Sequence, residues 1–170
     1  MEFLQITSPE DHRIKQIYDS YSTTFPPEEQ RDWNQFVQLF THPNAKVISV
    51  LNESKAIGYL IFWELSTFIF VEHFEVFAEF RSQKLGSHIT GYLFKNYQKI
   101  ILEIEPAHLG EDAQRRYSFY QKNGFSLVDD LYIQPSYGEG KPPLDLWLLA
   151  NYSPENLKEV KEEIYDIVYH

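Results

Sequence analysis

The sequence predicts a mixed α/β fold, with a central, mostly antiparallel sheet and helices on both of its faces. Three observations lead to this prediction. Three strand-like segments follow one another in the middle of the chain. A strand, a helix and a strand come directly after them, which requires a crossover connection. A final pair of strands closes the sheet, and helical segments both precede and follow these elements.

The first part of the chain is predicted to contain one strand and two helices. Phe3–Thr7 has the pattern of a short strand, and Ser8 followed by Pro9 is typical of a helix start. Phe25–Pro27 ends this helix, because its two prolines cannot continue it. Apolar residues recur at helical spacing in both helices: Ile14, Ile17, Tyr18 and Tyr21, then Trp33, Phe36, Val37 and Phe40.

The middle of the chain is predicted to be a meander of three strands. Lys46–Leu51 and Ile57–Glu64 are rich in β-branched and aromatic residues, and Asn52–Lys55 between them has the composition of a hairpin turn. Thr67–Val76 is the long third strand.

The remaining elements alternate between helix and strand. We predict helices at Leu85–Tyr97 and Asp112–Asn123, the second ending in a left-handed cap at Gly124. Apolar and β-branched runs predict strands at Lys99–Glu105, Phe125–Val128 and Leu144–Leu149. We also predict a loop at Tyr132–Pro143 and a last helix at Pro154–Val168. We expect a single domain over residues 1–170, with an added C-terminal helix at about 153–168.

The composition argues against three classes of protein: nucleic-acid-binding, metal-binding and membrane proteins. The 170 residues include 25 acidic and 15 basic ones, and this net charge of −10 disfavours nucleic-acid binding, which needs a basic face. The absence of cysteine excludes thiolate metal sites, and the histidines lack zinc-binding spacing, so we expect no metal. The N-terminus lacks a signal-peptide pattern and no apolar stretch reaches ~20 residues, so we expect a cytoplasmic protein without membrane contact.

The most informative segment is Phe68–Tyr92, in which an apolar strand leads through a short charged turn into a helix. The first N–H groups of a helix have no partner inside it, and the helix dipole places its positive end there. This arrangement predicts a binding site for a phosphate or pyrophosphate group, and therefore a cofactor.

Two motifs of this region resemble those of the GNAT superfamily of N-acetyltransferases. That superfamily combines Arg/Gln-x-x-Gly-x-Gly/Ala at a strand–turn–helix with a downstream helix that ends in Tyr-x-x-x-Gly-Phe. The first motif corresponds here to Arg81–Gly86, with Lys84 in the place of the first glycine, and the second to Tyr120–Phe125. The resemblance covers roughly residues 3–150, and several shorter segments are similar to a bacterial subgroup of these acetyltransferases.

The resemblance implies an acyl-CoA N-acyltransferase fold with acetyl-CoA as cosubstrate and a small-molecule or peptide amine as acceptor. It also implies that the pantetheine arm lies along the end of a strand, beside Phe74, Glu75 and Val76. The phosphates would lie at the turn and helix start, at seven consecutive residues: Arg81, Ser82, Gln83, Lys84, Leu85, Gly86 and Ser87. Exposed strand edges and the last helix would allow a homodimer.

Acetyl transfer needs a group that removes a proton from the amine. Glu72 is the preferred general base, because strand alternation places it on one face with Phe70 and Phe74, where desolvation would raise its pKa. His73 would then point to the opposite face. The alternative for Glu72 is a structural ion pair with an arginine at 115–116.

Four further residues are candidates for roles in catalysis or substrate binding. Glu105, or Glu103 on the same strand face, could be the base or bind an ammonium group, or both could be surface charges. The resemblance assigns Tyr120 as the general acid that protonates the CoA thiolate, and Tyr137 could contact the acceptor. We therefore expect an acetyl-CoA-dependent N-acetyltransferase, and the alternative is a non-catalytic acyl-CoA-binding or interaction module on the same fold.

Overall fold

The computed structural model describes residues 1–170 and confirms the predicted order of helices and strands. The seven strands are β1 (Glu2–Ile6), β2 (Ala45–Asn52), β3 (Lys55–Glu64), β4 (Ile69–Val76), β5 (Ile100–Ile104), β6 (Ser126–Gln134) and β7 (Leu144–Ala150). The five α-helices are α1 (Ile14–Thr24), α2 (Trp33–Gln38), α3 (Leu85–Asn96), α4 (Glu111–Lys122) and α5 (Leu157–Val168). Short 3-10 turns occupy Pro27–Glu29, Ala78–Phe80 and Ala107–Leu109.

All seven strands form one sheet in the order β1-β2-β3-β4-β5-β7-β6. Every neighbouring pair is antiparallel except β4 and β5, which are parallel and joined by α3. The predicted hairpin turn between β2 and β3 is confirmed: Glu53 and Ser54 both have positive φ angles, 48° and 64°. Two left-handed residues give this turn the twist that suits a tight hairpin.

Helices cover both faces of the sheet, as predicted. The core on one face includes Ile17 of α1, Phe36 of α2 and Ile164 of α5. The core on the other face includes Ile89 of α3 and Tyr120 of α4. We call these the α1/α2/α5 face and the α3/α4 face. No helix is both long and apolar enough to cross a bilayer.

The two largest differences from the predicted boundaries are at the start of α1 and the end of β6. Helix α1 begins at Ile14 instead of just after Ser8, because residues 9–13 form turns in which the Asp11 side chain accepts a hydrogen bond from the Arg13 N–H (3.0 Å). Strand β6 continues to Gln134, whereas the sequence indicated a strand end near residue 128. The strand pairs irregularly with β7 around Asp129, whose carboxylate binds Lys161 (2.8 Å).

Strand β4 contains a β-bulge, and this bulge overturns one prediction. Ile61 of β3 pairs with His73 and the next residue, Phe62, pairs with Val71, so Glu72 is the extra residue. Glu72 and His73 therefore both point to the α1/α2/α5 face, while Phe74 points to the α3/α4 face. The expectation that Glu72 shares a face with Phe74 and opposes His73 was wrong, because a bulge breaks the strict alternation of a strand.

The parallel pair β4–β5 is short, and this shortness creates the opening in the sheet. Only Ile69–Val71 and Ile100–Leu102 are paired, although β4 continues to Val76 and β5 to Ile104. Beyond the paired residues the two strands separate, and their facing backbone groups have no partner in the other strand. The gap connects the two faces of the sheet at the point where α3 begins.

Candidate active site

A cleft of about 960 Å³ lies at the gap between β4 and β5. It is bordered by the ends of both strands, the start of α3, one side of α4 and the end of α1. The sequence-predicted site residues line this cleft, with the exception of Gln83: Glu72, Phe74, Glu75, Val76, Arg81, Ser82, Lys84, Leu85, Gly86, Ser87, Glu105 and Tyr120. The structure thus brings together residues that the sequence separates by up to 48 positions, from 72 to 120.

The start of α3 presents unpaired donors to the cleft. Leu85 and Gly86 are the first two residues of the helix, and their N–H groups have no hydrogen-bond partner in the chain. No side chain caps the helix, whose preceding residue is Lys84. These donors and the positive end of the helix dipole can bind an anion at this position.

Lys84 adopts the left-handed conformation, with φ 59° and ψ 11°. This backbone explains why a glycine suits the position, since any residue with a Cβ has a cost of about 1–2 kcal/mol there. The sequence argument for a glycine concerned only the approach of a phosphate. The structure adds a conformational reason, which applies with or without a ligand.

Gly86 allows α3 to approach α4 and β4 closely. A Cβ at this residue would lie 3.0 Å from Cζ and 3.1 Å from Cε2 of Phe119, and 3.8 Å from Phe74. Gly86 thus lets α3 pack closely against the aromatic side chains of α4 and β4. This packing constraint was not visible in the sequence, where Gly86 was considered only as part of a phosphate loop.

Tyr120 lies near the end of α4 and lines the cleft. Its ring packs near Phe74, Phe119 and Phe125. Burial raises the pKa of Tyr120 to about 12, so the phenol is protonated at neutral pH. No protein group is hydrogen-bonded to its hydroxyl, which leaves the proton available to a group in the cleft.

Glu72 forms a buried ion pair, which is one of the two alternatives that the sequence left open. Arg31 is the partner, with its Nε and Nη2 each 2.9 Å from Glu72 Oε1. Tyr137 donates to the same oxygen at 2.5 Å, and Trp63 Nε1 donates to Oε2 at 2.6 Å. Burial alone would raise the pKa of Glu72, but Arg31 and these hydrogen bonds outweigh it and lower the pKa. This environment favours a permanently ionised, structural carboxylate.

Arg31 was missed by the sequence analysis, which named only Arg115 and Arg116 as partners for Glu72. Arg115 instead pairs with Asp112 on the surface, and Arg116 binds Glu105 at 2.7 Å. No local signal marks Arg31, because it lies in the irregular segment between the 3-10 turn that ends at Glu29 and α2. Its pairing depends on the tertiary fold alone.

Tyr137 also differs from expectation. The sequence analysis placed it in a loop that either contacts the acceptor or faces solvent. In the structure it is 5% exposed, its hydroxyl is bound to Glu72, and its ring lies 5.0 Å from the guanidinium carbon of Arg31. Tyr137 therefore fixes the carboxylate of Glu72 and has no free hydroxyl for a ligand.

Several carboxylates surround the gap on the α1/α2/α5 side. Glu75 accepts hydrogen bonds on Oε1 from Ser20 (2.8 Å), Thr24 (2.7 Å) and Arg81 (3.3 Å), while its Oε2 is buried and has no partner. Glu29, which the sequence analysis did not single out, lines the same cleft, and burial together with the nearby charge of Glu105 raises its pKa to about 7. The cleft thus has an acidic side opposite the start of α3.

Comparison with known proteins identifies the family. Residues 13–125 match the family model described as "Acetyltransferase (GNAT) family". The chain belongs to the GNAT family of acetyltransferases. The resemblance noted in the sequence is thereby confirmed, and so is the predicted fold, since solved structures of this family share it.

Individual relatives agree with this assignment. The acetyltransferase is 27% identical to the Bacillus subtilis protein named "Putative acetyltransferase YjbC" over 89% of this chain and 80% of the relative. A GNAT-family protein from Bacteroides thetaiotaomicron has a solved structure with a TM-score of 0.91, at 27% identity, covering 99% of this chain and 98% of the other. An aminoglycoside 6'-N-acetyltransferase solved with coenzyme A is similar in fold, with a TM-score of 0.63 at 16% identity, covering 92% of this chain and 100% of the other.

Proposed function

We propose that this acetyltransferase transfers the acetyl group of acetyl-CoA to a primary amine bound on the acidic side of the gap. The observation that carries the proposal is the opening between β4 and β5. On one side of it lie the free N–H groups of Leu85 and Gly86, and on the other side lie unpaired carboxylate oxygens. A thioester and an amine brought to this opening from opposite sides would meet in it.

The chain offers fitting groups for the cosubstrate. The N–H groups at the start of α3, together with the side chains of Lys84 and Arg81, would bind the phosphates. The end of β4, at Phe74–Val76, has no strand partner on the β5 side and could hold the amide groups of the pantetheine arm. When bound, acetyl-CoA would supply an activated acyl group, and the protein would supply position, proton transfer and stabilisation of negative charge.

Tyr120 is the proposed general acid. A phenol with a raised pKa keeps its proton at neutral pH, and this proton is available to a thiolate that leaves in the same cleft. Of the two bases predicted first, Glu72 is fully bound by its four donors, and Glu105 is held by Arg116. Their existing bonds argue against a role as proton acceptor for either one.

The acceptor is proposed to be a small, cationic amine. Glu29, Glu75 and Glu103 line the acceptor side of the cleft, and neither Glu29 nor Glu103 forms a salt bridge with a residue of the chain. In their ionised form, carboxylates that lack a basic partner attract a cation and repel an anionic acceptor. A peptide that presents a lysine side chain has the same chemistry and is included in the proposal.

A thiol-release assay with acetyl-CoA tests the proposal. The acceptor panel contains a short alkyl diamine, an aminoglycoside, a lysine peptide and, as the matched control, an amino acid whose amine lies beside a carboxylate. We expect turnover with the cationic acceptors and little with the control, and a preference that declines as salt is added. Binding of CoA in calorimetry without turnover on any acceptor would contradict catalysis, and absence of binding would contradict the whole proposal.

A further inference from the structure

Glu103 occupies a distinctive position at the gap. It is the first residue of β5 after the segment that pairs with β4, which ends at Leu102. Its carboxylate points to the α1/α2/α5 side, where it meets Tyr169, and the residue lines the cleft. Glu103 thus lies at the point where an acceptor on the acidic side would reach the opening.

The hydrogen bonds of Glu103 leave one of its oxygens open. Tyr169, which directly follows α5, donates to Oε1 at 2.5 Å. Oε2 is buried and has no hydrogen-bond partner in the chain. Glu72 and Glu105 are each bound by an arginine, and Glu75, whose Oε2 is also free, is contacted at its Oε1 by Arg81, whereas Glu103 has no arginine partner. Glu103 therefore combines a fixed orientation with free capacity to accept a proton.

The charged and titratable groups around Glu103 come from four parts of the fold: Tyr165 and Tyr169 from α5 and its end, Tyr132 and Tyr137 from β6 and the loop after it, Glu72 from β4, and Glu29 from the first 3-10 turn. Burial raises the pKa of Glu103 to about 8. The hydroxyl groups of Tyr169 and Tyr132 lower this pKa, and the charges of Glu72 and Glu29 raise it. A carboxylate with such a pKa is suited to proton exchange near neutral pH.

We propose that Glu103 is the general base of the reaction, acting on the amine directly or through one water, and that Tyr169 is its positioning residue. The proposal rests on the acetyl-transfer function proposed above. It gives the C-terminal segment a part in the reaction through Glu103, because Tyr169 lies beyond the last helix.

The proton balance of this step is simple. The bound ammonium gives one proton to Glu103, and the free amine then forms its N–C bond to the acetyl carbon. The C–S bond breaks, and the sulfur receives a proton from Tyr120. The second proton leaves the new amide nitrogen and returns through water to Tyr120. Glu103 releases its proton to solvent before the next cycle, so no further reactant is needed.

The first test compares Glu103→Gln with wild type, using the full chain, acetyl-CoA and a short alkyl diamine. We expect Glu103→Gln to lower kcat by about 10²- to 10⁴-fold while the affinity for acetyl-CoA stays the same. Glu155→Gln makes the same substitution at an exposed residue whose side chain forms no hydrogen bond or salt bridge, and should leave kcat unchanged. Full activity of Glu103→Gln beside an active wild type would overturn the assignment of Glu103 and leave the acetyl-transfer function standing.

The second test uses two variants with opposite expected effects. Tyr169→Phe removes a hydrogen bond that lowers the pKa of Glu103, so the acidic limb of kcat should move to higher pH. Glu29→Gln removes a negative charge that raises this pKa, so the same limb should move to lower pH. A general loss of stability cannot move the acidic limb of the pH profile of kcat to higher pH in one variant and to lower pH in the other. An acidic limb at the wild-type pH in both variants would contradict the proposal.

A carboxyl-carbon NMR titration of glutamate-labelled protein gives a readout that needs no acceptor. One signal should titrate near pH 8 and be missing in Glu103→Gln. Its midpoint should move up in Tyr169→Phe, down in Glu29→Gln and not at all in Glu155→Gln. A wild-type protein that turns over no amine would overturn both the function and the base, whereas a titration without the signal would overturn only the base.

Discussion

Replacing Arg31 by methionine should strongly destabilise the fold, because it leaves Glu72 buried without its counter-charge. The side chain of Glu72 is 0% exposed and that of Arg31 is 11% exposed. Arg31→Met also removes a hydrogen bond to the Val168 carbonyl oxygen (2.8 Å). Removal of one partner from a buried ion pair costs about 3–5 kcal/mol, which is a large part of the ~5–15 kcal/mol that stabilises a typical domain.

The size of this loss should depend on pH. In the wild type the pKa of Glu72 is below its ordinary value of 4.5, so its stabilising contribution is present above that pH and is lost as pH falls through the folded-state pKa. In Arg31→Met, burial is no longer opposed by the arginine and raises the pKa of Glu72. In this variant the contribution of Glu72 to stability is complete below its ordinary pKa of 4.5, and it is lost as the pH rises through the raised pKa. The difference between the two proteins should be largest at neutral pH and decrease below about 4.5.

Urea unfolding of both proteins across this pH range measures the difference. A double-mutant cycle with Glu72→Gln should recover part of the loss, since the uncompensated charge is then absent. Arg115→Met is the matched control, because Arg115 pairs with Asp112 on the exposed surface, where solvent screens the charges and the stability should hardly change. A loss in Arg31→Met that is below ~1 kcal/mol, or that is the same at every pH, would refute the reasoning.

Three further predictions concern the cofactor side of the cleft. Tyr120→Phe should lower kcat and leave the affinity for CoA unchanged in calorimetry; an unchanged kcat would remove Tyr120 from the mechanism. Lys84→Gly should raise the free energy of unfolding by about 0.5–1 kcal/mol relative to Lys84→Ala, because both variants lose the charge and only glycine relieves the left-handed backbone. Gly86→Val should cost about 1–3 kcal/mol in unfolding free energy through overpacking against Phe119, and equal stability would mean that the ring moves aside freely.

The order of helices and strands was predictable because local patterns determine it. The hairpin at Asn52–Lys55 and the left-handed cap at Gly124 follow from residue types that favour those conformations, and both are present. The length of strand β6 was underestimated, because aspartate, here Asp129, has a low propensity for strands. Only its tertiary contact with Lys161, 32 residues away, makes the acidic residue compatible with the strand.

The position of the cleft was predictable from the strand–turn–helix pattern, but its internal pairing was not. Glu72 and Arg31 are separated by 41 residues, and Glu103 and Tyr169 by 66. No spacing rule relates such residues. The bulge in β4 also could not be predicted from the alternation of residues. One extra residue moves every side chain that follows to the opposite face of the sheet. A strict alternation argument therefore places Glu72 among the wrong neighbours.

The last helix links the two carboxylates that border the gap. The Val168 carbonyl oxygen accepts a hydrogen bond from Arg31, which holds Glu72 on β4, and the Tyr169 hydroxyl donates to Glu103 on β5. Both contacts come from residues beyond the segment 13–125 that matches the family. The matched segment contains the start of α3 and the partners of Glu75, whereas Glu72 and Glu103 are held in part by the C-terminal residues. If the amine binds beside these carboxylates, as proposed, the choice of acceptor should depend on the C-terminal residues as well as on the matched segment.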